Sequence, residues 1–420
     1  MKIAIVGSGV SGLVSAHLLH PEHDVVLYEA GDHVGGHTHT QDVEVGGVRV
    51  AVDTGFIVYN EETYPELTKL FARLGVATQP SNMSFSVNDE RTGREWCGTS
   101  LDSLFAQRLN ALRPSFHRMI LDLARFNREA RVLAADGPDG VTLGDWARDH
   151  GYSRVFVEDY LVPLGSAVWS ADPAGLDRFP ARTFARFFEN HRFLQLAGQP
   201  TWRTVSGGAR SYVEKIVAPL GERVRRARVH AVRRVRNGVE VVAEGAGAER
   251  FDRAVLATHS DEALALLADA TPAEREVLGA IPYQRNVALL HTDASVMPRA
   301  RRAWASWNAL VPARGRPAAG ATLTYDMNRL QSLETPAPLL VSLNLEDRID
   351  PRKVLRRMVY HHPVFTPEGI RAQLRHAEID GAAGVHFAGA YWGYGFHEDG
   401  VRSALAVVAR IRAASSRRAA

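Results

Sequence analysis

Apolar positions change their rhythm several times along the chain, and each change marks an element. Lys2-Ile3-Ala4-Ile5-Val6 is a nearly continuous apolar run of strand length and predicts a parallel strand buried on both faces. Ser11 to Leu19 switches to helical spacing, and Asp24-Val25-Val26-Leu27-Tyr28 returns to a strand, so the chain opens as a βαβ unit. Val43–Val45 and Val48–Val52 alternate on either side of Gly46-Gly47 and predict a hairpin.

From about Leu101 to Ala134 the spacing is that of one long amphipathic helix, and residues 142–200 alternate helical stretches with Pro163, Pro173 and Pro180 amid many aromatics. Strand patterns return over Val224–Val242, turning at Asn237-Gly238, and over Phe251–Ala257; 283–293 and 339–345 read as strands of a second sheet. Val385–Gly389 predicts a last strand and Gly400–Arg412 a last helix that brings the chain back to its first domain, with a frayed Ala/Arg/Ser-rich stretch beyond. The expected organisation is a first domain from 1–75, 205–270 and 375–420, and a second from 76–204 and 271–374.

Composition agrees with a folded globular protein: 45% of residues are apolar and 23% charged. Fifty basic and 47 acidic side chains leave a formal charge of +3, too little to point to nucleic acid as a partner. The single cysteine, Cys97, cannot form an internal disulfide, so the cytoplasm is the expected compartment. Glycines interrupt the apolar start that would otherwise resemble a signal peptide, and no apolar run is long enough to span a bilayer.

Those glycines carry chemistry. Gly7-x-Gly9-x-x-Gly12 lies between the first predicted strand and helix, where a dinucleotide fingerprint must lie. Gly7 allows the tight turn, Gly9 lets a pyrophosphate approach the backbone, and Gly12 lets the helix pack closely; Val10 and Ser11 lie between them, with the Ser11 hydroxyl within reach of the phosphates. Glu29 ends the second strand seventeen residues after Gly12, placed to accept hydrogen bonds from ribose hydroxyls.

Further segments carry a resemblance. Glu29-Ala30, Gly35-Gly36-His37-Thr38 and Asp53-Thr54-Gly55-Phe56, then Arg228–Val232 around Val229, Ala254–Thr258 around Ala257, and finally Phe387-Ala388-Gly389 with Glu398-Asp399-Gly400-Val401-Arg402-Ser403, are similar in order and content to motifs of the flavin-containing amine oxidase superfamily. The resemblance implies an α/β fold, a Rossmann-like FAD-binding domain of the amine-oxidase (GR2) type with an inserted mixed α+β substrate domain. It also implies noncovalent FAD touching these segments, Ala390 among them. His37 stands where the superfamily usually has arginine, and Ala390 where it has glutamate. The superfamily's amine oxidases carry a lysine on a strand resembling Tyr283–Leu290; here that strand offers Arg285 and Asn286.

Asp53–Asn60 with Thr63-Tyr64-Pro65, and Gly389–Gly400, resemble a bacterial subgroup associated with cyclopropane and branched fatty acid synthesis. That resemblance implies flavin-mediated dehydrogenation or reduction of a C–C bond in an unsaturated or methyl-branched acyl chain, and association with a lipid-modifying methyltransferase. Amine oxidation and a noncatalytic FAD-bound partner of such a methyltransferase are the alternatives. His397, Tyr391, Tyr394 and Tyr59 are the side chains expected near the flavin; His397 is a candidate acid or base, or a structural hydrogen-bond partner. Phe184, Phe187, Phe188, Phe193 and Trp202 would line an apolar tunnel or form helix core, and Arg299, Arg301, Arg302, Trp304 and Trp307 suit peripheral membrane contact or a solvated loop. His361-His362 and His37/His39 lack the companions of a metal site, so no metal is expected.

Overall fold

The computed structural model describes residues 1–195, 198–313 and 320–419. Five parallel strands form the first sheet in the order Val224–Arg226, Asp24–Glu29, Lys2–Val6, Arg253–Leu256 and Val385–Phe387. Alternate side chains go to opposite layers. Ile3, Ile5, Val25 and Leu27 pack under the helices Val10–Leu19, Arg210–Val217 and His397–Ala419, whereas Ala4, Val6, Val26 and Tyr28 pack against an antiparallel sheet of Val229–Val235, Gly238–Ala243 and Ala248–Phe251. Burial of both faces explains the continuous apolar runs.

A second, seven-stranded sheet runs in the order Val354–Pro363, Tyr283–His291, Leu340–Leu343, Leu323–Asp326, Trp307–Val311, Phe85–Asp89 and Arg94–Cys97. Its parallel join, Trp307–Val311 beside Phe85–Asp89, unites two distant segments of the chain. The helices Pro114–Asp136, Val162–Trp169 and Ala181–Asn190 share one aromatic core in which Phe116, Phe126, Phe156, Phe184, Phe187 and Phe188 are fully buried.

Two sequence expectations are corrected, and one local irregularity is added. The long helix from Leu101 is broken into Leu101–Leu104, a 3-10 turn at Arg108–Leu112, and Pro114–Asp136. Pro114 forces Arg113 into extended backbone (φ −97°, ψ 111°) and takes the first helical position, where its missing N–H costs nothing. The last helix starts at His397, ahead of Gly400, and continues to Ala419 where fraying was expected. Within 154–169 a π turn at Val157–Leu161 precedes Pro163, which cannot donate into a regular α ladder.

Two buried carboxylates join remote elements. Asp53, at the end of the hairpin strand Val48–Asp53, accepts from Thr40 Oγ1 at 2.6 Å, the Ala209 amide at 3.0 Å and Gln331 Nε2 at 3.0 Å, and burial pushes its pKa up to about 6. Glu398 accepts from the Glu66 amide at 3.1 Å and the Leu67 amide at 3.0 Å, the first two N–H groups that follow Pro65 in the helix Pro65–Leu74. It therefore caps a helix more than 300 residues upstream in sequence. Glu398→Ala is expected to destabilise the protein by about 1–2 kcal/mol, the usual cost of a lost cap, seen as a lower thermal unfolding midpoint; an unchanged midpoint would remove the cap from the account.

Candidate active site

The loops that leave the carboxyl ends of all five parallel strands converge on one cavity of about 710 Å³. This is where parallel sheets bind ligands. After Val6 the backbone turns at Gly7 (φ +100°), whose amide donates to the Tyr28 carbonyl at 2.9 Å. A side chain at Gly12 would overlap the Gly7 carbonyl, so the first helix can seat here only with glycine at that position. Gly9 differs: a Cβ there would meet nothing within 4 Å and would project into open space.

Glu29 closes the second strand at the cavity wall. Its Oε2 accepts from the Ser8 amide at 3.1 Å and from the Ser8 hydroxyl, and its Oε1 accepts from the Gly31 amide at 2.6 Å. Ser8 Oγ in turn accepts from the Gly35 amide at 3.0 Å. Ser8 thus fixes both the acid and the Gly35-Gly36 loop; the sequence reading missed it, and its only signal was a hydroxyl beside the first glycine. Ala30, Gly36, Gly55, Val229, Ala257, Gly389 and Ala390 also line the cavity.

The open space at Gly9, the helix N-terminus behind it and the positioned acid suit a dinucleotide. Three buried polar atoms of lining residues, His37 Nε2, Trp307 Nε1 and Tyr391 Oη, have no protein partner among the described residues and are available to a ligand. His37 lies among the rings of Tyr360, His362 and His259, at 5.1, 5.2 and 6.3 Å. Burial, with the neighbouring imidazoles, holds its pKa well below the ordinary histidine value. Burial likewise lowers His362 to about 4, and its Nδ1 lies 2.9 Å from Asn286 Nδ2.

His397 stacks on Phe56 with centroids 3.8 Å apart, and its Nε2 lies 3.1 Å from Thr38 Oγ1. Burial depresses its pKa to about 3, so it is uncharged at neutral pH. In that form it offers one N–H and one lone pair to its neighbours. Tyr391 and Tyr394 line the cavity, but Tyr59 does not: its ring packs on Tyr64 and Phe71, and its hydroxyl points to Thr78. The expectation that Tyr59 borders the flavin is corrected, because the short strand Tyr59–Asn60 turns that side chain into the core.

Several other motif residues support the cavity from behind. Ser11 lines it, but its hydroxyl donates to the Gly400 carbonyl at 3.0 Å, away from the expected phosphate contact. Thr38 is bonded to Tyr212 and His397; Asp399 accepts from the Phe396 amide at 3.0 Å at the head of the last helix, and burial pushes its pKa up to about 6. Gly12, Gly35, Asp399, Gly400 and Val401 are absent from the lining. Gly400 permits the close approach of the last helix to Val10 and Ser11, while Val401 is core.

Beyond Phe56 the wall becomes aromatic. Trp169, Phe187, Phe193, Trp202, Trp307 and Phe396 line this end, whereas Phe184 and Phe188 remain in the helix core. Trp169, which packs on Phe187 at 4.7 Å, and His191, which stacks on Phe187 at 3.9 Å, were not singled out from sequence because nothing local distinguishes them from core residues. Apart from histidines and tyrosines, the ionisable side chains on the lining are Glu29, Arg228 and Glu262, which accompany the nucleotide loops. No lysine reaches the cavity: Lys2 pairs with Glu249, Lys69 with Glu66 and Lys353 with Asp293, and Lys215 donates to the Leu74 and Gly75 carbonyls. Arg285 is exposed, and buried Asn286 donates to the Ser170 carbonyl at 3.0 Å.

Residues 10–295 match the family of flavin containing amine oxidoreductases. Among solved structures, cyclohexylamine oxidase from Brevibacterium oxydans IH-35A aligns over 98% of this chain and 99% of its own with a TM-score of 0.70 and 17% identity. A putrescine oxidase bound to putrescine aligns over 98% and 99% with a TM-score of 0.71 and 16% identity. A fatty acid isomerase from P. acnes that produces CLA aligns over 97% and 98% with a TM-score of 0.67 and 15% identity. At these identities the likeness is one of fold.

Replacing Gly9 by leucine is expected to keep the fold, since the new side chain enters open space, yet abolish flavin retention; visible absorbance of the purified variant measures it, and a yellow protein would contradict the fingerprint. For His397, the imidazole resonances are expected to show no titration between pH 5 and pH 8, because protonation is deferred to about pH 3. A titration midpoint near 6.5 would show that the ring is solvated.

Proposed function

The chain belongs to the flavin containing amine oxidoreductase family and is an FAD-dependent oxidoreductase; from that premise we propose that it holds FAD noncovalently and acts on a carbon–carbon bond of an unsaturated or methyl-branched fatty acyl or similarly apolar substrate. The observation that carries this reading is the far end of the cavity, where aromatic side chains crowd together and lysine, arginine, aspartate and glutamate are absent. An acyl chain entering it gains roughly 0.8 kcal/mol for each methylene removed from water. An ammonium group would lose its hydration there with no carboxylate to replace it. The missing lysine weighs further against amine oxidation, and the likeness in fold to a fatty acid isomerase is compatible with an acyl substrate.

The glycine turn and first-helix N-terminus would receive the pyrophosphate, Glu29 the ribose, and the backbone at Val229 the adenine. Bound FAD supplies a hydride acceptor, or in its reduced form a hydride donor, for carbon. The chain supplies position and a dry wall. Tyr391 keeps its proton, since burial raises its pKa well above the ordinary tyrosine value, and its unpartnered hydroxyl can donate to an acceptor atom of the ligand. Uncharged His397 holds Phe56 and Thr38 in place rather than carrying a proton through the reaction.

Anaerobic spectroscopy tests the proposal. A saturated or branched acyl substrate is expected to bleach the oxidised flavin, or an unsaturated one to reoxidise the reduced flavin, while primary amines do neither. Bleaching by an amine alone would reverse the order of the two readings. Failure of both substrate classes would favour a noncatalytic, FAD-bound partner of a lipid methyltransferase. Denaturation is expected to release intact FAD into the supernatant; flavin that stays with the polypeptide would contradict noncovalent binding.

A further inference from the structure

Of the eight large apolar side chains most exposed among the described residues, four lie within one short stretch: Leu101 (77% exposed), Leu109 (66%), Leu112 (79%) and Leu121 (66%). Scattered surface leucines need no explanation, but a cluster of this kind does. The stretch is well ordered by its own contacts. A capping box at Ser100 starts its first turn, the Phe105 ring packs on Phe116 at 5.7 Å, and His117 Nε2 lies 2.7 Å from the Ala111 carbonyl. Its leucines therefore face outward on a fixed scaffold.

Charge on this surface has one prevailing sign. Residues 101–136 contain six arginines, no lysine and four acids; Arg108 pairs with Asp102, Arg118 with the buried Asp122 at 3.2 Å, Arg125 with Glu129 at 3.6 Å and Arg131 with Glu189 at 3.4 Å, and the stretch keeps a net charge of +2. Arg118 and Arg128 share the outer face of the helix Pro114–Asp136 with Leu121. The loop carrying Arg301 and Arg302 lies alongside, where Arg302 reaches Asp102 at 3.8 Å and Arg301 covers the Trp304 ring at 4.0 Å. The inner face of the same helix meets the aromatic core through Phe116 and Phe126, one layer from Phe187 on the cavity wall.

We propose that this projection, residues 101–121 with the outer face of the helix Pro114–Asp136, docks the protein on an anionic lipid bilayer. Leucines that project from a rigid turn enter the headgroup and acyl boundary, and arginines beside them meet lipid phosphates. A second copy of the chain fits less well, because a symmetric dimer would set the same arginine-rich patch against itself. Docking requires no turnover, so it stands or falls separately from the substrate assignment.

The test is sedimentation of the flavin-loaded protein with vesicles of equal parts phosphatidylglycerol and phosphatidylcholine, compared with phosphatidylcholine alone. The protein is expected to sediment with the anionic vesicles, to be released by high salt, and to bind phosphatidylcholine weakly. The double variant Leu109→Glu, Leu112→Glu is expected to lower binding by about tenfold or more while keeping its flavin spectrum. Should that variant fail to fold, Arg118→Gln with Arg128→Gln is expected to remove the preference for anionic vesicles. No binding to anionic vesicles, or binding that neither variant weakens, overturns the proposal, as does a dimer in solution that the leucine variant splits.

Discussion

Contact between the first helix and the last is the interaction on which the rest of this architecture depends. The Ser11 hydroxyl donates to the Gly400 carbonyl, and no atom stands between Gly400 and Val10 because glycine leaves that space empty. This contact returns the C-terminal segment to the glycine turn, and Gly389, Ala390 and Tyr391 line the same cavity as Gly9 and His37. Glu398, next to it, anchors the helix Pro65–Leu74, so the same few residues brace three parts of the cavity wall.

The cavity is polar at one end and apolar at the other, yet few formal charges are spent on it. Burial depresses the pKa values of four of its histidines, His37, His191, His362 and His397. They act as hydrogen-bonding and stacking groups. Where the superfamily resemblance places an arginine, His37 offers an unpartnered nitrogen instead, which changes the local field from cationic to dipolar without closing the site. The two-ended lining follows from the fold, since strand ends provide the nucleotide loops and the inserted helices provide the aromatic wall.

The βαβ start was legible because every cue is local: strand, glycines, helix, strand and acid fall within thirty residues and need no distant partner to be recognised. The second sheet was only partly legible. Val354–Pro363 intersperses arginines and histidines and shifts register near His291, so its alternation is broken, while Leu323–Asp326 and Arg94–Cys97 are too short to show a period. In the site, motif membership located the right segments but not the direction of each side chain. Thr38 and Asp399 lie behind the wall, Tyr59 turns into the core, and Ser8 and Trp169 carry no pattern that a single sequence would mark.

The order of strands in the first sheet has a consequence for synthesis. Lys2–Val6 is made first, but its neighbour Arg253–Leu256 follows some 250 residues later, and Val385–Phe387 comes later still. Such long-range pairings are slow to form, and the nascent chain must keep its apolar strands from sticking elsewhere meanwhile. The cradle for the dinucleotide is thus finished only after the last helix has emerged, so cofactor capture comes at the end of folding and cannot guide its beginning.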